Sequence, residues 1–246
     1  MVKMKVITRS GKEEDVKFDL ITDKIKYLAN ENNSWGKKLN VDPTFIAQNI
    51  CSLIYDGITT TQLDDFSSSF SATLFKHDPD YLLLASRIAI NNHHKNTCDN
   101  FQEIMKKLNK IKIISDEFIG VIERNNDRII KIINYDRDYL ITYFGFKSLD
   151  KSYLLKIDNK SVERPQHLFM RVALAIHSED MDMVEKVYNS LSLKYYTHAT
   201  PTLFNSGTNY QQMSSCFLLG KRASVDELNT TASNMARLSK WAGGIG

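Results

Sequence analysis

The stretch QQMSSCFLLG, residues 211–220, sets a single thiol, Cys216, behind two serines and ahead of an apolar run. A thiolate is a nucleophile and a reductant, so this placement suits redox or covalent chemistry. An isolated cysteine suits a buried apolar position equally well, and residue types alone do not fix its pKa. A second group is cationic. Lys5, Arg9, Lys12 and Lys17 fall on or beside a short segment centred on Gly11, just ahead of a helix start at Asp19. Backbone N–H groups at a helix start, together with nearby cations, suit phosphate. A solvated charged hairpin would have the same composition. Cys51, Cys98 and the six histidines lack metal-ligand spacing, so neither a disulfide scaffold nor a metal site is expected.

Bulk properties narrow the partners. The chain has 246 residues, 42% hydrophobic and 25% charged, with a net charge of +3. That is an ordinary globular composition, and the charge is too small and dispersed to argue for a nucleic-acid partner. No window is long and apolar enough for a membrane span, and the start is charged, without an apolar signal region. A cytoplasmic location is the expectation.

The elements that must position these groups follow from caps and periodicity. Residues 4–18 read as a hairpin turning at Gly11. Helices are expected from Asp19, with Ile21, Ile25 and Leu28 inward, and from Asp42-Pro43, with Phe45, Ile46, Ile50, Leu53 and Ile54 inward and Asp56-Gly57 as its stop. A Thr59/Gln62 capping box opens a third, carrying Leu63, Phe66, Phe70 and Leu74, and Asp78-Pro79 starts a fourth. Two more cover residues 99–134, the second capped by Ser115. An aromatic packed connector follows, then helices from Pro165 and over residues 180–196. Pro201 and Gly207 mark residues 197–210 as a loop. MSSCFLL reads as a buried strand, and a Ser224/Glu227 capping box opens a helix running to about Trp241. Strand, helix and glycines in that order open an α/β unit, with the next strand expected after Gly246.

The stretches VITRSGKEEDVKFD, HDPDYLLLASRIAI, YDRDYLITYFGFKSLDKSYLLKI, ERPQHLFMRVALAIH, THATPTLFNSGT, SSCFLL and SKWAGGIG resemble, in order and spacing, the large subunit of class I ribonucleotide reductase. The resemblance implies an α/β protein with a mainly α-helical N-terminal part: an ATP-cone over residues 1–96 and a helical domain over 97–196. The first elements of a ten-stranded α/β barrel would occupy 197–246. It assigns an allosteric ATP or dATP site to Thr8, Arg9, the run Glu14 to Leu20 including Lys17, Thr60, Asp64 and Lys95. Arg9 and Lys95 would neutralise phosphate. Asp64 would instead accept hydrogen bonds from sugar or base, or help to tell ATP from dATP. It makes Cys216 one of two redox thiols that reduce the ribose, and gives Thr200, Ser215 and Gly244 to the bound nucleoside diphosphate. A specificity-effector site would involve Ser224 and Lys240.

That site shows a departure. The family's usual Asp before the serine is replaced by Ala223, so either Asp226 substitutes after a register shift or the site is weakened. The radical cysteine, the partner of Cys216 and the catalytic carboxylate would all follow Gly246. On this reading the 246 residues alone are inactive, and the Cys216 strand keeps an unpaired edge and an uncovered face. The implied partners are a radical-generating small subunit, the remainder of the large subunit, a second copy of the chain, and a dithiol reductant such as thioredoxin or glutaredoxin. The alternative is a non-catalytic nucleotide-sensing or dimerisation module.

Overall fold

The computed structural model describes residues 4–30, 36–222, 224–240 and 243–246. The substitution at Ala223, the helix end at Trp241 and the 31–35 part of the polar loop lie outside the described residues. In chain order, β1 (Lys5–Ile7) and β2 (Glu13–Asp15) precede α1 (Phe18–Ala29) and α2 (Pro43–Ser52). Then β3 (Ile58–Thr59) runs directly into α3 (Thr60–Thr73), followed by α4 (Asp80–Asn96), α5 (Phe101–Lys110), α6 (Asp116–Ile132) and α7 (Tyr143–Ser148). Short strands β4 (Lys156–Ile157) and β5 (Lys160–Ser161) lead to α8 (Pro165–His177), α9 (Met181–Ser192), α10 (Thr200–Asn205), β6 (Cys216–Phe217), α11 (Val225–Ser239) and β7 (Gly244–Ile245). The chain is mainly helical and divides into two compact units. One comprises residues 1–99, 134–152 and 159–164; the other comprises 100–133, 153–158 and 165–246.

In the first unit the hairpin forms as expected, β1 antiparallel to β2 with Val6 opposite Glu14. Gly11 takes φ +80°, a conformation a side chain would resist. A third strand goes beyond the expected hairpin: β3 lies parallel to β1, with Val6 opposite Ile58 and Ile7 opposite Thr59. Its two residues are too few to show a period. Two helix starts match their caps. Asp42 accepts the N–H groups of Thr44 and Phe45 at 2.9 and 3.1 Å. The Thr59 hydroxyl accepts Gln62 N–H at 3.1 Å while the Gln62 side chain accepts Thr59 N–H at 3.0 Å, a complete capping box. These helices close over Ile25, Leu28, Ile46, Ile50, Ile58 and Leu84.

Other expectations here need correction. Lys17, not Asp19, occupies the N-cap of α1, with no side-chain cap; Asp19 lies in the first turn, where its charge suits the helix dipole. Helix α2 ends at Ser52, well before Asp56-Gly57, which leaves Leu53 exposed, and Phe45 is exposed beside the buried Ile46, Ala47 and Ile50. Phe66 is also exposed, because α3 turns a stripe of small residues, Ser67, Ser68 and Ser71, inward against α4. The aromatic connector packs in this unit over residues 135–152. Ser86 donates to the carbonyl of Ile141, and His94 Nε2 pairs with the fully buried Asp138 at 2.7 Å. The adjacent His93 points elsewhere, to the carbonyl of Glu163 at 2.9 Å.

In the second unit α8 is buried from Pro165 to Leu174. Its Arg171, fully buried, donates to the carbonyls of Ser206 and Leu203 at 2.7 and 3.2 Å and so satisfies the end of α10. Residues 197–210 are therefore not all loop. Pro201 sits in the first turn of α10, where a missing N–H costs nothing, and starts the helix instead of breaking it. The MSSCFLL strand is shorter and more open than expected: only Cys216 and Phe217 are paired, Cys216 is exposed, and Leu218 is 91% exposed. An apolar run is buried only where another layer covers it, and α11 buries none of its described residues. The next strand also comes earlier than expected. Gly244–Ile245 pairs in parallel with Cys216–Phe217, so β6–α11–β7 is already a strand–helix–strand unit and β6 has one paired edge. The Ser224 capping box is half made. Ser224 accepts Glu227 N–H at 3.2 Å, while the Glu227 carboxylate accepts Arg222 N–H at 2.6 Å.

Candidate functional site

Within the first unit a cavity of about 220 Å³ lies between the hairpin, α1, α3 and α4. Thr8, Arg9 and Glu14 come from the hairpin, Lys17 and Leu20 from the start of α1, Thr60 and Asp64 from α3, and Lys95 from α4. Of the twelve residues that the resemblance assigns to an effector nucleotide, ten line one cavity; Phe18 and Asp19 of the run 14–20 do not. Its apolar side is built from Val6, Val16, Ile21, Leu63 and Ile88, with Leu20 61% exposed. Its polar side carries four cations against three carboxylates. Such a surface can take a flat apolar ring on one side and an anionic tail on the other.

Arg9 organises the polar side. Its guanidinium donates to Asn96 Oδ1 at 2.9 Å, Thr60 Oγ1 at 3.3 Å, Asn92 Oδ1 at 2.5 Å and Asp64 Oδ2 at 2.7 Å. Lys24 donates to the other oxygen of Asp64, which is only 7% exposed. Both oxygens of Asp64 thus hold cations, a task the sequence reading did not give it. Lys24 also escaped that reading. Its spacing from Leu20, one helical turn on, places it on the same face of α1 and is the signal that could have found it. Burial lowers the Lys24 ammonium to about 8; Asp64 pulls the other way, while Lys95 and Arg9 reinforce the lowering.

The thiol segment of the second unit is partly assembled. Gly244 stands opposite Cys216 and its N–H donates to the Ser215 carbonyl at 2.7 Å. A Cβ on Gly244 would sit 3.1 Å from that carbonyl and 3.9 Å from Cys216 Sγ, so glycine permits the close approach. The Ser215 hydroxyl lies 3.6 Å from Cys216 Sγ. The Thr200 hydroxyl meets Tyr153 at 3.2 Å. Its helix does hold the same segment, because Thr202 and Asn205 donate to the carbonyls of Met213 and Gln212 at 3.0 and 2.6 Å. By contrast the Cys51 thiol is pushed up by burial, away from the reactive thiolate form.

The specificity-site residues do not converge. Ser224 and Asp226 occupy the start of α11 and Lys240 its C-cap. At 1.5 Å per residue those ends of a 15-residue helix are roughly 22 Å apart.

A family model described as "Ribonucleotide reductase, all-alpha domain" matches residues 139–211. The large subunit of ribonucleoside-diphosphate reductase from Variola virus is 46% identical over 253 residues, covering 99% of this chain and 32% of that one. Its counterpart from Caenorhabditis elegans is 45% identical, covering 98% and 31%. The large chain 2 from Saccharomyces cerevisiae is 44% identical, covering 99% and 29%. The chain spans about a third of the length of the curated relatives it matches. Along the stretch it shares with them, the chain is similar to the large subunits of ribonucleotide reductase.

Proposed function

We propose that the chain contributes part of a class I ribonucleoside-diphosphate reductase large subunit, which converts ribonucleoside diphosphates to deoxyribonucleoside diphosphates for DNA synthesis. ATP or dATP would bind in the hairpin cavity and regulate the reaction. The observation that carries the reading is the convergence of ten assigned residues, from separate elements, on one cavity. Its cations suit a polyphosphate and its apolar side a base. In this reading residues 1–96 are an ATP-cone, 97–196 a helical domain, and 197–246 the opening of an α/β barrel. The parallel β6–β7 pair is what that opening requires.

The proposed chemistry assigns Cys216 the role of reductant. Two thiols give up two electrons and two protons and become a disulfide; the 2′ carbon is reduced and its hydroxyl leaves as water. A dithiol such as thioredoxin or glutaredoxin then reopens the disulfide by exchange. The initiating radical would come from a small subunit, and the second thiol and acid–base group from the remainder of the large subunit. The 246 residues alone are therefore expected to bind nucleotide without turnover. Helix α11, with Val225, Leu228 and Met235 exposed, suits pairing with a second copy. An antiparallel arrangement would bring Ser224 of one copy near the helix end at Lys240 of the other. Localisation in the cytoplasm completes the proposal.

Calorimetric titration of the chain with ATP and dATP tests the cavity: micromolar binding is expected, and a folded chain that binds neither overturns the reading. The second reading, a nucleotide sensor without catalysis, draws on the same cavity. It predicts that the chain binds nucleotide but supports no ribonucleotide reduction even when the rest of a large subunit and a small subunit are supplied.

A further inference from the structure

Lys24 enters the cavity by geometry alone. It projects from α1 to one oxygen of Asp64 while Arg9 holds the other, so a single carboxylate carries two cations. Lys95 lines the same cavity with no ion pair among the described residues. An ammonium has three donors, and Asp64 uses one of them. The remaining donors belong to a side chain already fixed in place and 23% exposed. A polyphosphate arriving at Arg9 would meet Lys24 at the same point, with little further ordering of either side chain.

We propose that Lys24 is a phosphate-binding residue of this cavity, and that Asp64 is the counter-ion that holds Lys24 and Arg9 in position and competes with phosphate for them. The inference rests on the nucleotide reading of the cavity and adds a binding residue and a pH dependence to it. The groups facing Lys24 are Asp64 from α3, Arg9, Glu14 and Asp15 from the hairpin, Lys17 from the start of α1 and Lys95 from α4. Burial sets the Lys24 ammonium at about 8, and a bound polyphosphate raises it. Affinity is then fully present below about 8 and declines as pH rises through and above that value, because binding must take up a proton there.

The test is calorimetric titration of the 246-residue chain with sodium tripolyphosphate and with ATP, at pH 7 and pH 9.5. Lys24→Gln should weaken both ligands about tenfold at pH 7, the worth of one charged hydrogen bond. Lys24→Arg should stay within about threefold of wild type, because it keeps the charge. Wild type and Lys24→Gln should converge at pH 9.5. Asp64→Asn should bind tripolyphosphate at least as tightly as wild type, since that ligand has no sugar or base for Asp64 to contact. The wild-type pH arm requires no variant to fold. A wild-type chain that binds both ligands, with Lys24→Gln matching it at pH 7, overturns the role of Lys24 and leaves the nucleotide reading standing. Asp64→Asn that loses tripolyphosphate as strongly as Lys24→Gln overturns the counter-ion role. A folded wild-type chain that binds neither ligand overturns the nucleotide reading as well.

Discussion

Arg9 is fixed by Asp64, Asn92, Asn96 and Thr60 within one folded unit, whereas Cys216 stands beside Ser215 and Gly244 and is exposed. The first set sits against a core that closes over Leu28, Ile50 and Leu84. The second sits on a two-residue ladder beside a helix that buries nothing. Charged side chains hold a geometry when packing has already fixed their backbones, and the cavity meets that condition. The thiol segment has its backbone contacts but no covering layer among the described residues.

The largest expected effect breaks the contrast on the chemical side. In a complete large subunit containing this stretch, Cys216→Ser should reduce ribonucleotide turnover to background while ATP binding at the cavity persists, since the change in volume is small. A dithiol-driven assay that shows normal turnover would remove Cys216 from the reaction. Stability should show the contrast in reverse. Leu28→Ala, at a fully buried site, should cost ~2–5 kcal/mol in denaturant unfolding. Leu218→Ala, at the exposed end of the β6 run, should change it by less than ~0.5 kcal/mol. Equal losses would show that the apolar run is covered in solution.

Next in size is Arg9→Ala, which should weaken ATP binding by ~1.5–3 kcal/mol by calorimetry with little change in the melting temperature. The smallest effects sharpen the comparison at two helix caps. Thr59→Ala removes a complete capping box beside the cavity and should cost ~1 kcal/mol of global stability. Ser224→Ala removes half a box from a helix outside any core. Global unfolding should barely register it, although helicity of residues 225–239 by amide exchange should fall.

Much of this was legible in the residues, unevenly and for physical reasons. Asp42, Thr59 and Ser115 announced their helices because a cap acts over three residues and needs nothing distant. The resemblance brought Thr8, Arg9, Thr60, Asp64 and Lys95 to one place although they lie far apart in the chain. What escaped was set by tertiary partners. Strand β3 has too few residues for a pattern, and only its pairing with β1 makes it a strand. Lys24 resembled any solvated lysine on α1 until Asp64, forty residues on, took its ammonium. The run around Cys216 reads as a buried strand by its residue types and yet stays open, as the reading of an uncovered face expects, because apolar sequence reports a tendency to be covered, not the presence of a cover. Pro201 was misread as punctuation because the same residue both starts and stops helices.

Strand β3 also has a consequence in time. Its parallel pairing with β1 closes a stretch of ~50 residues, an entropic cost that local helices do not bear. Helices α1 and α2 can form while that stretch is still open. Arg9 cannot meet Thr60 or Asp64 until Ile58 has docked beside Val6, because Thr59 ends the strand and caps α3 in the same step. The cavity should therefore be the last feature of its unit to appear on refolding, with ATP binding lagging the far-ultraviolet helical signal in a stopped-flow experiment. A chain still being synthesised would pass through a helical stage in which the cavity is not yet formed.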